Sequence, residues 1–72
     1  MRAQFNEQLE KMHVELIKMG SLCEEAISIS AKSLLTEERS FQEKVKELEI
    51  EIDQKESEIE SICMRLLLQQ QP

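Results

Sequence analysis

The sequence predicts an all-α chain, and three observations carry the prediction. Apolar residues recur in alternating steps of three and four along most of the length, the repeat of a helix that packs along one face. One Gly, Gly20, and one Pro, Pro72, are the only strong helix breakers, so nothing between Met1 and Gln71 compels a helix to stop. Hydrophobic residues make up 40% and charged residues 33%, with Phe5 and Phe41 the only aromatics, a balance typical of long amphipathic helices. The 72 residues form a single unit, 1–72, with little room for a closed core.

The first helix is expected over about 2–35. Its seam reads Phe5, Leu9, Met12, Leu16, Met19, Cys23 and Ala26, continuing weakly through Ser30 and Ser33. A flanking row holds Ile17, Gly20, Ile27, Ala31 and Leu34, so the apolar arc is wider than one partner needs. That width implies contact with two neighbours. Gly20 costs roughly 1 kcal/mol relative to Ala in a helix interior, and it suggests a site where a neighbouring backbone comes close.

The periodicity loses phase at Thr36-Glu37-Glu38-Arg39-Ser40, which marks a tight turn over about 36–39. Thr36 and Ser40 are candidate caps, and Ser40 with Glu43 has the spacing of a capping box. The second helix, about 40–70, carries the seam Phe41, Val45, Leu48, Ile52, Lys55, Ile59, Ile62 and Leu66, in which only Lys55 is out of character. Arms of about 32 residues each reach roughly 48 Å, so the two match in length and pair as an antiparallel hairpin. Residues facing each other then have numbers summing to about 75, which sets Leu16 against Ile59 and Met12 against Cys63. The same register separates Cys23 from Cys63 by roughly 16 Å, beyond the roughly 7 Å Cα spacing a disulfide tolerates, and both read as small buried apolar residues.

The segment Ile62-Cys63-Met64-Arg65-Leu66-Leu67-Leu68 is apolar on nearly every side, and a two-helix hairpin cannot bury it. A third helix beyond Pro72 would make a three-helix bundle; a second copy of the chain would make a four-helix bundle. The residues expected at helix interfaces are Phe5, Leu9, Met12, Leu16, Met19, Val45, Leu48, Ile52, Ile59, Ile62 and Leu66, and the expected state is a homo-oligomer, a dimer in its simplest form.

Charge and composition narrow the functional classes. With fifteen acids against nine bases the net charge is −6, which repels a phosphate backbone and argues against nucleic-acid binding. The longest apolar run, Leu66-Leu67-Leu68, is far shorter than a membrane span, and the amino end lacks a basic region followed by an apolar block. Two distant cysteines fit a reducing compartment, so the expected location is cytoplasmic. No enzyme is expected: Ser21, Ser28, Ser30 and Ser33 lack triad company, no Gly-rich loop could cradle a phosphate, and His13 has no second ligand at metal spacing.

The sharpest local feature is a stripe of carboxylates on the second helix, Glu49, Asp53, Glu56 and Glu60, at steps of four, three and four. Like charges one turn apart repel by a few tenths of a kcal/mol per pair. Such a stripe is either a solvated or partner-facing surface, or half of a carboxylate metal site completed by another helix. Glu49 and Asp53 are the first-choice ligands, with Glu56 and Glu60 in reserve; iron, zinc or another divalent metal would suit such oxygens.

Several motifs, taken in order, resemble a known family. Met1-Arg2-x-x-Phe5 with Gln8-Leu9-Glu10, then His13-x-Glu15-Leu16-Ile17-x-Met19-Gly20 and Glu24-Glu25-Ala26-Ile27, are similar to the first helix of the PhoU family of phosphate-uptake regulators. Val45, Glu49-x-x-x-Asp53 around Ile52, Glu58-Ile59-Glu60, Cys63-x-Arg65-Leu66 and Gln71-Pro72 resemble that family's second helix up to its junction with a third. The resemblance covers essentially the whole chain. It implies a three-helix repeat and a non-catalytic adaptor in phosphate transport and phosphate-starvation signalling. The partners it implies are the ATPase of a phosphate transporter and a sensor histidine kinase, and it implies metal clusters held by motifs such as Glu49-x-x-x-Asp53. A purely structural hairpin module, with neither metal nor signalling partner, is the alternative reading.

Overall fold

The computed structural model describes residues 2–36 and 38–69. Two α-helices, α1 (Arg2–Leu35) and α2 (Arg39–Gln69), pack against each other along an elongated body of 56 × 14 × 12 Å. Met12 meets Cys63, with the thiol donating to the Met12 Sδ at 3.3 Å, and Glu15 meets Lys55, so numbers rise along one helix as they fall along the other. The chain is an antiparallel hairpin. The Met12–Cys63 contact has the expected sum of 75; the expected helix end at 70, turn residue 37, and the ends of the family motifs at 1 and 71–72 lie outside the described residues.

The turn is built differently from the capping-box expectation. The Thr36 amide and hydroxyl both donate to the Lys32 carbonyl, at 3.1 and 3.3 Å, and so satisfy an end of α1 where Lys32 also complements the helix dipole. Helix α2 starts at Arg39, and the Phe41 amide donates to the Glu38 carbonyl. Ser40 therefore lies inside the first turn of α2 instead of capping it, because the chain begins to coil two residues earlier than the box requires.

Along α2 the seam is the one expected. Leu48 and Ile62 are 3% exposed and Leu66 is 7% exposed, while Phe41, Val45, Ile52, Lys55 and Ile59 are half-buried. Along α1 the seam is rotated. Phe5, Met12, Met19, Cys23, Ala26, Ser30 and Ser33 are half-buried as expected, but Gln8, Glu15, Leu22 and Ile29 turn inward beside them. Leu9 and Leu16, assigned to the interface from the pattern, are 39% and 47% exposed. The cause is Lys55: a cation in the seam needs an anion opposite it, and the rotation brings Glu15 there.

Two helices close only part of a core. Leu48, Ile62 and Leu66 are the buried apolar side chains among the described residues, and Ile17, Ile27, Leu34, Met64, Leu67 and Leu68 are exposed. Cys23 and Cys63 are free, as expected, and half-buried: each lies at the margin of the seam, on the side without a covering helix. Gly20 likewise departs from expectation. A Cβ built on it meets nothing within 4 Å, so among the described residues no backbone comes close.

Because Gly20 is exposed, helical and unobstructed, Gly20→Ala should stabilise this hairpin by about 0.5–1 kcal/mol, read as a higher urea midpoint with an unchanged slope. A lower midpoint would reveal a neighbour against Gly20 in solution.

Candidate functional site

The rotation of α1 gives the hairpin two unlike edges. In an antiparallel pair the same flank of both helices meets on the same edge, so Leu9, Leu16 and Cys23 of α1 lie beside Glu49, Glu56 and Cys63 of α2. The other edge gathers Lys11 and Lys18 from α1 with Glu58 and Arg65 from α2.

The first edge is an open groove in three successive recesses. Near the chain ends Phe5, Leu9 and Met12 face Cys63, Leu66 and Leu67. In the middle Leu16 and Met19 face Ile59, Cys63 and Met64, with Glu56 and Glu60 on the α2 bank. Toward the turn Ser33 and Leu34 face Val45 and Lys46, with Glu49 on the same bank. The groove thus has an apolar floor and a largely apolar α1 bank, and an α2 bank on which Glu49, Glu56 and Glu60 alternate with Lys46 and Arg65. Leu16 and Ile59, paired by the expected register, line the same recess.

The four carboxylates of the stripe, Glu49, Asp53, Glu56 and Glu60, are all exposed and make no ion pair among the described residues. Glu49, Glu56 and Glu60 line the groove, whereas Asp53 lines none of its recesses. Among the described residues no three Asp, Glu, His or Cys side chains are grouped to hold a metal ion. The hairpin's own residues therefore do not fit a complete metal centre: one helix offers neighbouring carboxylates on one side only. His13 is exposed.

The second edge is held by a chain of ion pairs. The Lys55 ammonium donates to the Glu15 carboxylate at 2.6 Å and to Glu58 at 3.4 Å, and Lys18 stands 3.6 Å from the other Glu15 oxygen. Glu15 is 8% exposed, yet the sequence pattern gave it no role. The overlooked signal was Lys55: the register of 75 sets it against Gly20, and an acid within reach of a long side chain had to be sought nearby. Gln8 was also missed, and its buried Oε1 has no hydrogen-bond partner.

The hydrogen bond from Lys55 holds the Glu15 carboxyl below its ordinary value of 4.5, against the opposing effect of burial and with help from the Lys18 charge. The bond to Glu15 raises Lys55 above its ordinary 10.5, again against burial, and the charges of Glu15 and Glu58 add to the rise. The sign of the linkage follows. The Glu15 contribution is present above the ordinary carboxylate value and is lost as pH falls through the lowered folded value. The Lys55 contribution is present below its ordinary value and is lost as pH rises through the raised folded value.

Comparison with known proteins adds a family to this geometry. The PhoU domain family matches residues 16–72. The chain is 32% identical over 69 residues to a phosphate-specific transport system accessory protein PhoU homolog of Pseudomonas aeruginosa, covering 96% of this chain and 28% of that protein. A protein of the same description from Pseudomonas putida is 32% identical over 69 residues, covering 96% and 27%. One from Clostridium acetobutylicum is 34% identical over 68 residues, covering 94% and 31%. The chain thus spans less than a third of the length of these relatives. No solved structure matches it significantly.

Two outcomes are expected of the ion pair. Glu15→Gln or Lys55→Met alone should lower the urea midpoint more than Glu15→Leu with Lys55→Leu together, since a lone seam charge is worse than an apolar pair; equal or additive losses would contradict that coupling. Between neutral pH and the acid limb, the wild-type chain should lose more stability than Glu15→Gln, and the two curves should converge once Glu15 is protonated; parallel curves would remove Glu15 from the acid response.

Proposed function

The chain belongs to the PhoU family, and from that premise we propose that it acts as a PhoU-like regulator of phosphate uptake and phosphate-starvation signalling. It works in the cytoplasm as a non-catalytic adaptor that binds proteins. The relatives it resembles are described as accessory proteins of a phosphate-specific transport system, and the partners we propose, on the family resemblance, are the transporter's ATPase and a sensor histidine kinase. The observation that carries the reading is the open groove, whose apolar floor beside a charged bank suits a docked helix better than a small substrate.

A metal is the companion proposal. Glu49 and Asp53 would supply one side of a site for iron, zinc or another divalent ion, and the carboxylates of a further helix would complete it. Self-association is the second reading, favoured by Met64, Leu67 and Leu68, which stay exposed at one end of the hairpin. A dimer joined there would be compatible with the adaptor role; a hairpin module with no partner beyond its own copy would replace it.

Leu16→Glu places a charge in the groove without touching the buried seam, whereas Leu66 is buried between the helices and its substitution would damage the fold. Binding of the purified chain to the transporter ATPase of its source, measured by calorimetry, should weaken roughly tenfold or more in Leu16→Glu and stay unchanged in Gln54→Ala, on the exposed outer face. Undiminished binding by Leu16→Glu would move the docking surface elsewhere. Sedimentation equilibrium of Leu68→Glu, exposed and outside the groove, separates the second reading: a fall to monomer that leaves ATPase binding intact assigns that end to self-association alone.

A further inference from the structure

The ion-paired edge of the hairpin carries a smaller recess. Between α1 and α2 on that edge, a pocket is lined by Lys11, Glu58, Ser61, Ile62 and Arg65. Glu58 is engaged by Lys55, Lys55 by Glu15, and Glu15 by Lys18, so this chain of two carboxylates and two ammonium groups neutralises itself. Lys11 and Arg65 are left over: neither has an ion-pair partner among the described residues. Two unmatched cations and the Ser61 hydroxyl therefore share one pocket, in a chain whose net charge is −6. Ser61 and Arg65 also line the middle recess of the open groove.

We propose that Lys11, Ser61 and Arg65 form a binding site for a tetrahedral oxyanion, either free phosphate or a phosphate monoester. The chemistry matches the group. A guanidinium offers paired N–H donors to two oxygens, an ammonium adds a mobile point charge, and a hydroxyl supplies a neutral donor. Glu58 would repel such an anion if it were free; its bond to Lys55 offsets that charge and makes the ion-pair chain a support of the site. The proposal stands on the charges of this edge and not on the regulator reading, so either can fail while the other holds.

Inorganic phosphate is titrated into the purified chain near neutral pH, at constant ionic strength maintained with chloride, while the thermal midpoint and backbone amide shifts are followed. Phosphate should raise the midpoint saturably above the chloride control, with shifts centred on residues 11, 61 and 65. Lys11→Gln and Arg65→Gln should each weaken the response roughly tenfold, while Lys46→Gln, the same charge change on the other edge, keeps it. Phosphoserine distinguishes the two sources: a stronger response than to inorganic phosphate assigns the site to a monoester, and a weaker one to the free ion. No saturable response to either compound beyond chloride, or an undiminished one in both pocket variants, overturns the proposal.

Discussion

The lysine in the seam of α2 constrains everything else in this hairpin. An ammonium group held between two helices must find an anion, because leaving it unpaired in a largely covered position costs more than the apolar contact it displaces. Glu15 is the acid within reach, and to deliver it α1 turns so that Gln8, Glu15, Leu22 and Ile29 alternate with Phe5, Met12, Met19 and Ala26 along the contact. One ion pair thereby selects between two seams of equal periodicity. The more apolar one, through Leu9 and Leu16, is left on the surface.

From that choice comes the division of the molecule into two edges. On one, charges are matched in a chain from Lys18 through Glu15 and Lys55 to Glu58, with Lys11 and Arg65 beyond it. On the other, leucines and sulfur-bearing side chains lie open beside unpaired carboxylates. Matched charge and open apolar surface therefore lie on different sides. Ion pairs near solvent contribute modestly to stability, and uncovered apolar area favours burial by a neighbour. A helix settling into the groove would cover Leu9, Leu16 and Leu67 without disturbing the pair that sets the geometry.

The family resemblance and the local geometry bear on different questions. Motifs such as Glu49-x-x-x-Asp53 and Cys63-x-Arg65-Leu66 resemble PhoU in the sequence itself, and the family comparison reaches the same place over residues 16–72. Identity of this kind is written in which residues occur in which order. A ligand set is not: the carboxylates of one helix become a site only when another element supplies the opposite side, and no such group is assembled among the described residues.

The sequence by itself determined that two long helices form and that they pair antiparallel. Periodicity, a single interior Gly and matched arm lengths are local properties that every copy of the chain carries. It also determined the α2 seam, because only one row of that helix is apolar enough to be buried. The rotation of α1 was decided by the tertiary structure. Its apolar arc is wide enough to satisfy two seams, so hydrophobic spacing was degenerate and a pairwise term, Lys55 with Glu15, broke the tie. The role of Gly20 was likewise not legible, since whether a glycine admits a neighbour depends on whether that neighbour is there. Burial patterns are read along one helix; charge pairing across helices needs the second one in place.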